Sequence, residues 1–311
     1  MQTNIPLKAN DKIAFVCPGS ICRQINHPQI TRDYLNQHYQ LQAVFGAETT
    51  QSLAPAQRAE ILLSYLFDDN IKLIAQLRGG EGTADILPYL HLHYEKIKLL
   101  KPKFLLGFSD FTALLIYFNK YYRWPALHGP SPLEFALNIA NETSQRSTMD
   151  ILFGNKPISP LDALIPLNDL AREERVIEAE LTGGNLSVIQ VSIKDLWEID
   201  TANKIIFLED CAEKSHKIIR TLKYFSRIGL FDTAKAVIFG DFTCTPIGCQ
   251  KEEQAHNQQA ILKTLSSFAA HHAIPVLYTP KFGHGKVNMP LLYATKYHLQ
   301  LGTHACLSVA P

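Results

Sequence analysis

Short apolar runs alternate with helical patterns along this chain, and several of the runs end in glycine or polar residues. The run at 12–16 ends in a Cys-Pro-Gly-Ser turn, a helical pattern follows at 54–67, and the run at 72–77 leads into Arg-Gly-Gly-Glu-Gly. Strands that alternate with helices form parallel sheets, because each crossover helix packs on a face of the sheet. In such sheets ligands bind at the carboxyl ends of the strands. The sequence therefore predicts an α/β fold and directs the search for chemistry to the strand ends.

The predicted elements fall into two groups, which a segment of weaker periodicity separates. Strands are predicted at 12–16, 41–45, 72–77, 104–108, 177–181, 204–208, 236–239 and 274–278, and helices at 54–67, 111–121, 186–193, 215–228 and 254–270. Residues 156–175 are rich in proline and polar residues, which is typical of a linker. We therefore expect an N-terminal domain over 1–155 and a C-terminal domain over 176–311, in agreement with a prior of about 150 residues per domain.

Charge and composition exclude several classes of protein. The 311 residues include 30 Lys and Arg against 29 Asp and Glu, so there is no excess of cations to neutralise nucleic-acid phosphates. Apolar residues make up 46% and charged residues 19%, as in ordinary globular domains rather than disordered chains. The longest apolar stretches, such as 113–118, are far shorter than the ~20 residues that cross a bilayer. Residues 1–11 lack the apolar segment of a secretory signal, so we expect a cytoplasmic protein.

Six cysteines are too few to form a disulfide scaffold in a chain of this length. They are Cys17, Cys22, Cys211, Cys244, Cys249 and Cys306. Two pairs have C-x4-C spacing, which admits zinc, but both pairs flank apolar strand-like runs and structural zinc more often uses tighter spacing. We therefore predict that the cysteines act as small buried apolar residues and that they hold no metal.

Ser109 is a candidate nucleophile, because it follows the apolar run FLLGF and opens a helical pattern. A serine in this place holds its hydroxyl at the rim of the sheet, and backbone N–H groups at the helix start can stabilise an oxyanion. The structural alternative is an ordinary helix N-cap, for which serine followed by an acidic residue is common. The segment is not a G-x-S-x-G elbow, since Phe111 stands at the second glycine position.

An acidic pair and a histidine also follow apolar strand-like runs. Glu209 or Asp210 could orient a histidine and stabilise its imidazolium form, although a solvated strand end is the structural alternative. His284 lies in a Gly-His-Gly turn and has the side chain best suited to proton transfer near neutral pH, although a turn histidine can also have no catalytic role. The three strand ends together are consistent with a Ser–Glu–His order.

Two glycine-rich segments could place backbone N–H groups at a site. The segment at 78–82 lacks the Lys-Ser/Thr of a P-loop and the spacing of a dinucleotide fingerprint, so an oxyanion hole is an equal interpretation. Gly183-Gly184-Asn185 is expected to form a tight turn before a helix.

Eight short segments, spread through nearly the whole chain, carry a resemblance to a known family. They are IAFVCPGS at 13–20, QRAEILLSYLFDD at 57–69, QLRGGEGTADILPYL at 76–90, KFLLGFSDFTALL at 103–115, LHGP at 127–130, LTGGNLSVI at 181–189, IIFLEDCAEK at 205–214 and FGHG at 282–285. In this order they resemble the LD-carboxypeptidases, a family of serine peptidases that includes murein tetrapeptide carboxypeptidases and microcin C immunity peptidases. Any one segment is weak evidence, whereas the ordered set is specific.

The resemblance implies an N-terminal flavodoxin-like domain with a parallel sheet, which carries the nucleophile, and a C-terminal β-rich α/β domain. It implies that Ser109 is the nucleophile, that His284 is the general base and then acid, and that Glu209 orients His284. The backbone N–H groups of Gly80 and Asp110 would form the oxyanion hole. The mechanism would pass through an acyl-enzyme without a metal or other cofactor.

The resemblance also implies a substrate and a partner. The family's usual substrate is the murein tetrapeptide of cell-wall recycling, a small peptide that is cut before its terminal D-alanine, and a homodimer is expected. The terminal carboxylate needs a cationic or N–H-rich pocket, for which Arg78 is a candidate, although it can equally hold its own loop in place. Gly79, Gly183 and Asn185 are further candidate substrate-binding positions.

Three departures from the family pattern put the peptide preference in doubt, since each is expected near the cleft. Glu81 replaces a common aromatic residue, Ser215-His216-Lys217 replaces a Pro-Tyr-Arg stretch, and Tyr293 replaces a common glycine. One alternative function is the inactivation of a peptidyl-nucleotide by the same triad. The segment 155–175 has no aromatic residue that could stack on a base, which favours the murein substrate. The other alternative is a ligand-binding protein without catalysis, which would have no need of all three triad residues.

Overall fold

The computed structural model describes residues 6–22, 24–155, 159–242 and 251–310, with side chains described from 255 in the last range. Cys244 and Cys249, which we expect to be buried, lie outside the described residues.

Thirteen strands lie in the described residues and form two sheets. They are β1 (Lys12–Val16), β2 (Gln42–Phe45), β3 (Ile71–Gln76), β4 (Phe104–Gly107), β5 (Ala126–His128), β6 (Ile165–Pro166), β7 (Val176–Asn185), β8 (Ile205–Glu209), β9 (Ala236–Phe239), β10 (Val276–Tyr278), β11 (Leu291–Leu292), β12 (Lys296–Gln300) and β13 (Cys306–Val309).

Ten α-helices accompany the strands in the described part of the chain. They are α1 (His27–Tyr39), α2 (Pro55–Phe67), α3 (Leu87–His91), α4 (Tyr94–Lys98), α5 (Thr112–Tyr122), α6 (Pro132–Ala136), α7 (Glu142–Phe153), α8 (Leu186–Gln190), α9 (Ser215–Arg227) and α10 (Lys251–Ala270).

The first sheet has the order β2-β1-β3-β4-β5-β11. Its first five strands are parallel, and β11 pairs antiparallel with β5 at the edge. The order 2-1-3-4-5 is that of flavodoxin-like sheets, which bind ligands at the carboxyl ends of the strands. The expected flavodoxin-like fold of the N-terminal part is therefore confirmed.

The second sheet has the order β13-β12-β7-β8-β9-β10-β6. Strands β7 to β10 are parallel, whereas β6, β12 and β13 pair antiparallel with their neighbours. Strand β6 comes from the segment expected to be a linker, and it contains Pro166. It lies at the edge of the sheet, where a proline without an N–H donor is tolerated.

Helix α5 lies between the two sheets and is buried from Thr112 to Asn119. An apolar helix of this kind packs on every side instead of presenting one face to solvent. At its start, the Thr112 hydroxyl accepts a hydrogen bond of 3.1 Å from the Asn185 N–H at the end of β7. Near its end, the Tyr121 hydroxyl donates to the Leu196 carbonyl at 2.7 Å. The turn that precedes α5 therefore lies where the two sheets meet.

No helix in the described ranges combines the length and the apolar character needed to cross a membrane.

Candidate active site

Ser109 lies between β4 and α5, in a short 3-10 turn that leads into the helix. Its backbone φ is 58°, in the left-handed region, where a residue other than glycine costs on the order of 1–3 kcal/mol. Nucleophilic serines of α/β-hydrolases occupy a similarly strained turn between a strand and a helix. The hydroxyl is thus held at the rim of the first sheet, as the sequence predicts.

Gln76, the last residue of β3, supports this turn. Its Oε1 accepts a 2.7 Å hydrogen bond from the backbone N–H of Phe108. A Cβ atom on Gly107 would lie 2.5 Å from the same oxygen, so only glycine fits there without a shift. The carboxyl ends of β3 and β4 are therefore joined directly before Ser109.

The glycine-rich loop after β3 passes against Ser109. A Cβ on Gly79 would lie 3.3 Å from the Ser109 Oγ, and a Cβ on Gly80 would lie 2.6 Å from the side chain of Ser20. The Arg78 side chain is exposed and donates a 2.9 Å hydrogen bond to the Ile21 carbonyl. At least one of its N–H groups therefore holds the glycine-rich loop in place. The loop therefore approaches the hydroxyl with its backbone.

Asp110 ties the glycine-rich loop to the serine turn. Its Oδ2 accepts hydrogen bonds from the N–H and the hydroxyl of Thr83, at 3.0 and 2.5 Å. Burial raises the pKa of Asp110, and the Thr83 bonds oppose this shift. The buried Arg58 guanidinium also donates to the carbonyls of Gly19 and Gly82, at 2.7 and 3.3 Å, which fixes the loop from the other side.

Glu209 ends β8, and its carboxylate contacts His284 in the loop that follows β10. His284 Nδ1 lies 2.6 Å from Glu209 Oε2, the side chain of Glu209 has no exposure to solvent, and that of His284 is 14% exposed. Burial alone would raise the pKa of Glu209, but the charge of His284 and its hydrogen bond outweigh burial and hold this pKa below its usual value. Glu209 is therefore an anion beside the imidazole at neutral pH.

His284 reaches the serine turn through Phe108. The two rings lie 4.9 Å apart between centroids, and Phe108 immediately precedes Ser109. The flanking glycines permit this placement: Gly283 has a φ of 121°, and a Cβ on Gly285 would lie 2.4 Å from the carboxylate of Asp241. Glu209 and His284 are thus in direct contact, and His284 packs on the residue that immediately precedes Ser109.

Asp210 does not share the role of Glu209. Its carboxylate accepts hydrogen bonds from the N–H and hydroxyl of Ser187, at 3.0 and 2.7 Å, and from the Asn185 amide at 3.1 Å. Burial, followed by the charge of Glu209, raises the pKa of Asp210 to about 6. Of the two acidic residues, Glu209 is the one that contacts His284, and Asp210 secures the start of α8.

The expected tight turn at Gly183-Gly184-Asn185 is wrong, because these residues continue β7 directly into α8. A Cβ on Gly183 would lie 1.8 Å from the Phe207 carbonyl oxygen of the neighbouring strand, and a Cβ on Gly184 would lie 2.6 Å from Thr112. The glycines thus serve close packing. Asn185 caps α8, since its Oδ1 accepts the Val188 N–H at 3.1 Å.

The three departures from the family pattern lie in different environments. Glu81 and His216 are exposed, whereas Tyr293 is fully buried and its hydroxyl donates to the Gly183 carbonyl at 2.7 Å. Tyr293 therefore acts in the core between the sheets.

Sequence reasoning assigned no role to His128, the last residue of β5. It is fully buried, and its pKa is lowered to about 4, mainly by burial. In the sequence, His128 could have been noticed as a polar residue at the end of an apolar run, within the segment LHGP. The run corresponds to a strand of only three residues, which is too short to give a clear pattern. Thr83 and Asp241 were also missed, because their contacts join segments that are remote in the chain.

No group of three or more potential metal-binding side chains occurs in the described ranges. Cys17 and Cys22 are buried and form no disulfide, and burial raises the pKa of the Cys17 thiol to about 12. Cys17 therefore behaves as a buried apolar residue, whereas the Cys22 thiol also donates to the Gln24 carbonyl at 3.5 Å. The expectation of burial is wrong for Cys211 and Cys306, which are only partly buried.

The chain matches known sequences over most of its length. A sequence model of the LD-carboxypeptidase N-terminal domain matches residues 13–129, and one of the LD-carboxypeptidase C-terminal domain matches 178–299. A protein of Rickettsia conorii that is named as a carboxypeptidase is 34% identical over 241 residues, which are 76% of this chain and 71% of that protein. The murein tetrapeptide carboxypeptidase of Pseudomonas aeruginosa is 26% identical, over 82% of this chain and 79% of the relative.

Solved structures share the fold. The muramoyltetrapeptide carboxypeptidase of Oxalobacter formigenes superposes with a TM-score of 0.79 at 20% identity, over 96% of this chain and 99% of that one. The structure of MccF in complex with glutamyl sulfamoyl guanosine also gives a TM-score of 0.79, at 18% identity, over 100% of this chain and 99% of that one.

Proposed function

Because this chain belongs to the LD-carboxypeptidase family, we propose that it is a serine carboxypeptidase that releases the terminal D-alanine from a murein tetrapeptide. The observation that carries the proposal is the 2.6 Å contact between His284 Nδ1 and the buried carboxylate of Glu209. The packing of the His284 ring on Phe108, next to Ser109, supports it further. The name of the Pseudomonas aeruginosa relative supports the choice of substrate.

In the first half of the reaction, the Ser109 hydroxyl attacks the carbonyl carbon of the bond that precedes D-alanine. Glu209 accepts the Nδ1–H of His284, which leaves the Nε2 lone pair to take the serine proton. The protonated imidazole then gives this proton to the departing D-alanine amine, and the peptide remains as an ester on Ser109. Buried Glu209 stabilises the imidazolium that forms between these two steps.

In the second half, water attacks the ester carbonyl while His284 again serves as the base, and the tripeptide leaves with a new carboxylate. Each attack creates an oxyanion. The backbone N–H groups of Gly80 and Asp110 would stabilise it, because the loop of Gly80 and the start of the serine turn both lie beside Ser109. The Asp110–Thr83 hydrogen bonds keep these two segments in register.

The test is the release of D-alanine from L-Ala-γ-D-Glu-meso-diaminopimelyl-D-Ala by wild type, Ser109→Ala and Ser64→Ala, each with and without a chelator. Ser64 is an exposed serine of α2 and serves as the matched control. We expect release by wild type and Ser64→Ala that survives the chelator, and loss of release in Ser109→Ala.

A folded wild-type protein that releases no D-alanine would overturn the murein substrate. A peptidyl-nucleotide of the type bound in the MccF structure is then the next substrate to assay with the same variants. If Ser109→Ala retained the wild-type rate, Ser109 would not be the nucleophile.

A further inference from the structure

His128, at the end of β5, lies behind the serine turn. The strand pairs with β4 so that His128 stands opposite Gly107, two residues before Ser109. The His128 ring packs edge-on against Phe108 and Phe207, with centroid distances of 6.2 and 5.2 Å. Since the Phe108 ring also contacts His284, one aromatic side chain separates the two imidazoles.

The ring nitrogens of His128 are both buried, and neither makes a hydrogen bond within the described part of the chain. A buried polar group without a partner costs about 1–3 kcal/mol, and nearly all such groups in native proteins are paired. Oε1 of Glu209, the carboxylate oxygen that does not contact His284, is in the same condition. A potential N–H donor and a carboxylate acceptor, both without partners among the described residues, therefore occur in one buried region.

Ring contacts place His128 near the Glu209–His284 pair, because Phe108 contacts both imidazoles and Phe207, which also contacts His128, lies two residues before Glu209 on β8. The pKa shifts of the two groups agree with this placement. Burial is the largest effect on the pKa of His128 and lowers it; the negative charge of Glu209 raises it, and the charge of His284 lowers it. In turn, His128 contributes to the low pKa of Glu209. The His128 ring is neutral at pH 7 and so carries one N–H donor.

The other polar groups around Glu209 have partners of their own. The Asn185 amide donates to Asp210 at 3.1 Å, and its hydrogen bonding to Glu209 also lowers the pKa of Glu209. The Tyr293 hydroxyl, whose pKa is raised by burial and then by the Glu209 charge, donates to the Gly183 carbonyl. Among the described groups coupled to Glu209, His128 is the one whose polar atoms have no hydrogen-bond partner.

We propose that His128 is a positioning residue, whose neutral imidazole directs its N–H toward Glu209 Oε1 and holds the carboxylate as an anion turned toward His284. The inference rests on the proposed function, because it acts through the same triad. An N–H dipole stabilises the Glu209–His284 pair in its anionic form, so its removal increases the affinity of the pair for a proton. The pair then keeps this proton to a higher pH, and His284 cannot accept the proton of Ser109. Glu134 on α6 also acts electrostatically with His284, and it is unchanged in the variants below.

The test measures how fast a fluorophosphonate probe labels Ser109 between pH 4.5 and 9. In this reaction the bond from Ser109 Oγ to phosphorus forms, the phosphorus–fluorine bond breaks, and His284 takes the serine proton. His128→Leu removes the donor at similar volume, whereas His128→Gln keeps an N–H and cannot ionise. The labelling rate should rise with pH to a plateau as His284 loses its proton. We expect the Leu variant to shift this rise to higher pH by about one pH unit and to lower the plateau rate ~10-fold. The rate of the Gln variant should rise over the same pH range as that of wild type, to a plateau within about threefold of the wild-type plateau.

Two results would overturn the role of His128 and leave the triad in place. In the first, the labelling rate of the Leu variant rises over the same pH range as that of wild type. In the second, the Leu and Gln variants show the same shift to higher pH. The second result would mean that the ring only fills space between Phe108 and Phe207. Failure of the probe to label folded wild type, with Ser109→Ala as the blank, overturns the proposed function and this inference with it.

If His128→Leu does not fold, nitrogen-15 NMR of the His128 ring in the wild-type protein tests the proposal instead. We expect a His128 ring that stays in one neutral tautomer from pH 5 to 8, with an N–H signal that moves in Glu209→Gln. A ring that takes up a proton in this range, or a signal that Glu209→Gln leaves in place, contradicts the proposal.

Discussion

His284 Nδ1 and Glu209 Oε2 lie 2.6 Å apart, although the two residues are 75 positions apart in the chain. Glu209 is the last residue of a fully buried strand, and His284 lies in a loop that contacts it through Gly283. A Cβ on Gly283 would lie 3.1 Å from the Cβ of Glu209, so the loop packs closely on the strand end. The carboxylate can therefore fix the orientation of the ring, which a flexible surface carboxylate could not do.

Replacement of Glu209 by glutamine tests this relationship. The amide keeps the size of the side chain but cannot stabilise the imidazolium, and it can present its NH2 to Nδ1, which favours the wrong tautomer. We expect kcat for D-alanine release to fall about 10³- to 10⁴-fold, as for the loss of the orienting carboxylate in other triads. Glu178→Gln, on the exposed part of β7, is the matched control and should keep the wild-type rate. A Glu209→Gln enzyme within tenfold of wild type would mean that Glu209 is not the orienting group.

Gly183→Ala is expected to prevent folding or to lower the free energy of unfolding by more than about 4 kcal/mol. The new Cβ would lie 1.8 Å from the Phe207 carbonyl oxygen, which is backbone of the adjacent strand and cannot rotate away. The residue also has a φ of 151°. At Gly129, in contrast, the nearest atoms to a Cβ belong to Pro290 at 3.2 Å, so Gly129→Ala should cost about 1 kcal/mol. Urea unfolding of both variants gives the comparison, and equal midpoints would contradict it.

Local sequence patterns predicted several short, largely apolar strands well. Strands β1 and β9 have the predicted bounds, because each is an apolar run that is enclosed by polar or turn residues. Helix α1 was missed because it buries only Thr31 and Leu35, which leaves too few apolar positions to show helical spacing. Strand β11 has two residues and pairs with β5 across a long stretch of chain, a contact that no local pattern can indicate.

The candidate site shows the same division. Ser109, Glu209 and His284 were each selected because they follow apolar strand-like runs, and together they suggested a Ser–Glu–His order. Only the resemblance assigned a specific role to each and chose Glu209 over Asp210 as the residue that orients His284. The structure distinguishes the two carboxylates, because that of Asp210 accepts a hydrogen bond from the Ser187 hydroxyl. The glycines of β7 were misread as a turn, because a glycine required for close strand packing looks the same in the sequence as one required for a turn.

Thr83→Val should weaken catalysis without removing any group of the triad. It deletes the hydroxyl that donates to Asp110 Oδ2 at 2.5 Å and leaves the backbone N–H bond of 3.0 Å in place. Loss of a buried hydrogen bond to a charged group costs about 1.5–3 kcal/mol, so the glycine-rich loop should be held less firmly beside Ser109. We expect kcat/KM to fall about tenfold. Thr83→Ser keeps the hydroxyl and should stay near wild type; a serine variant as slow as the valine variant would point to lost packing of the methyl group instead.

Glu48 should make the protein less stable as the pH rises through neutrality. Its side chain is buried, neither carboxylate oxygen has a hydrogen-bond partner among the described residues, and burial raises its pKa to about 7. Because the pKa is higher in the folded protein than in the unfolded chain, the protonated side chain favours folding below the unfolded pKa of about 4.5, and this advantage is lost as the pH rises past about 7.

The pH dependence of unfolding in Glu48→Gln tests this reasoning. Glutamine cannot ionise, so the variant does not share the loss of stability that wild type undergoes. The free energy of unfolding of the variant minus that of wild type should therefore increase from pH 5 to pH 8 by on the order of 2 kcal/mol. Comparison of the two pH values within each protein cancels the fixed cost of burying an amide. Glu142→Gln, at a position whose side chain is 83% exposed, is the matched control and should leave the pH dependence unchanged. Parallel wild-type and Glu48→Gln curves would mean that Glu48 meets water or a partner that keeps its carboxylate charged.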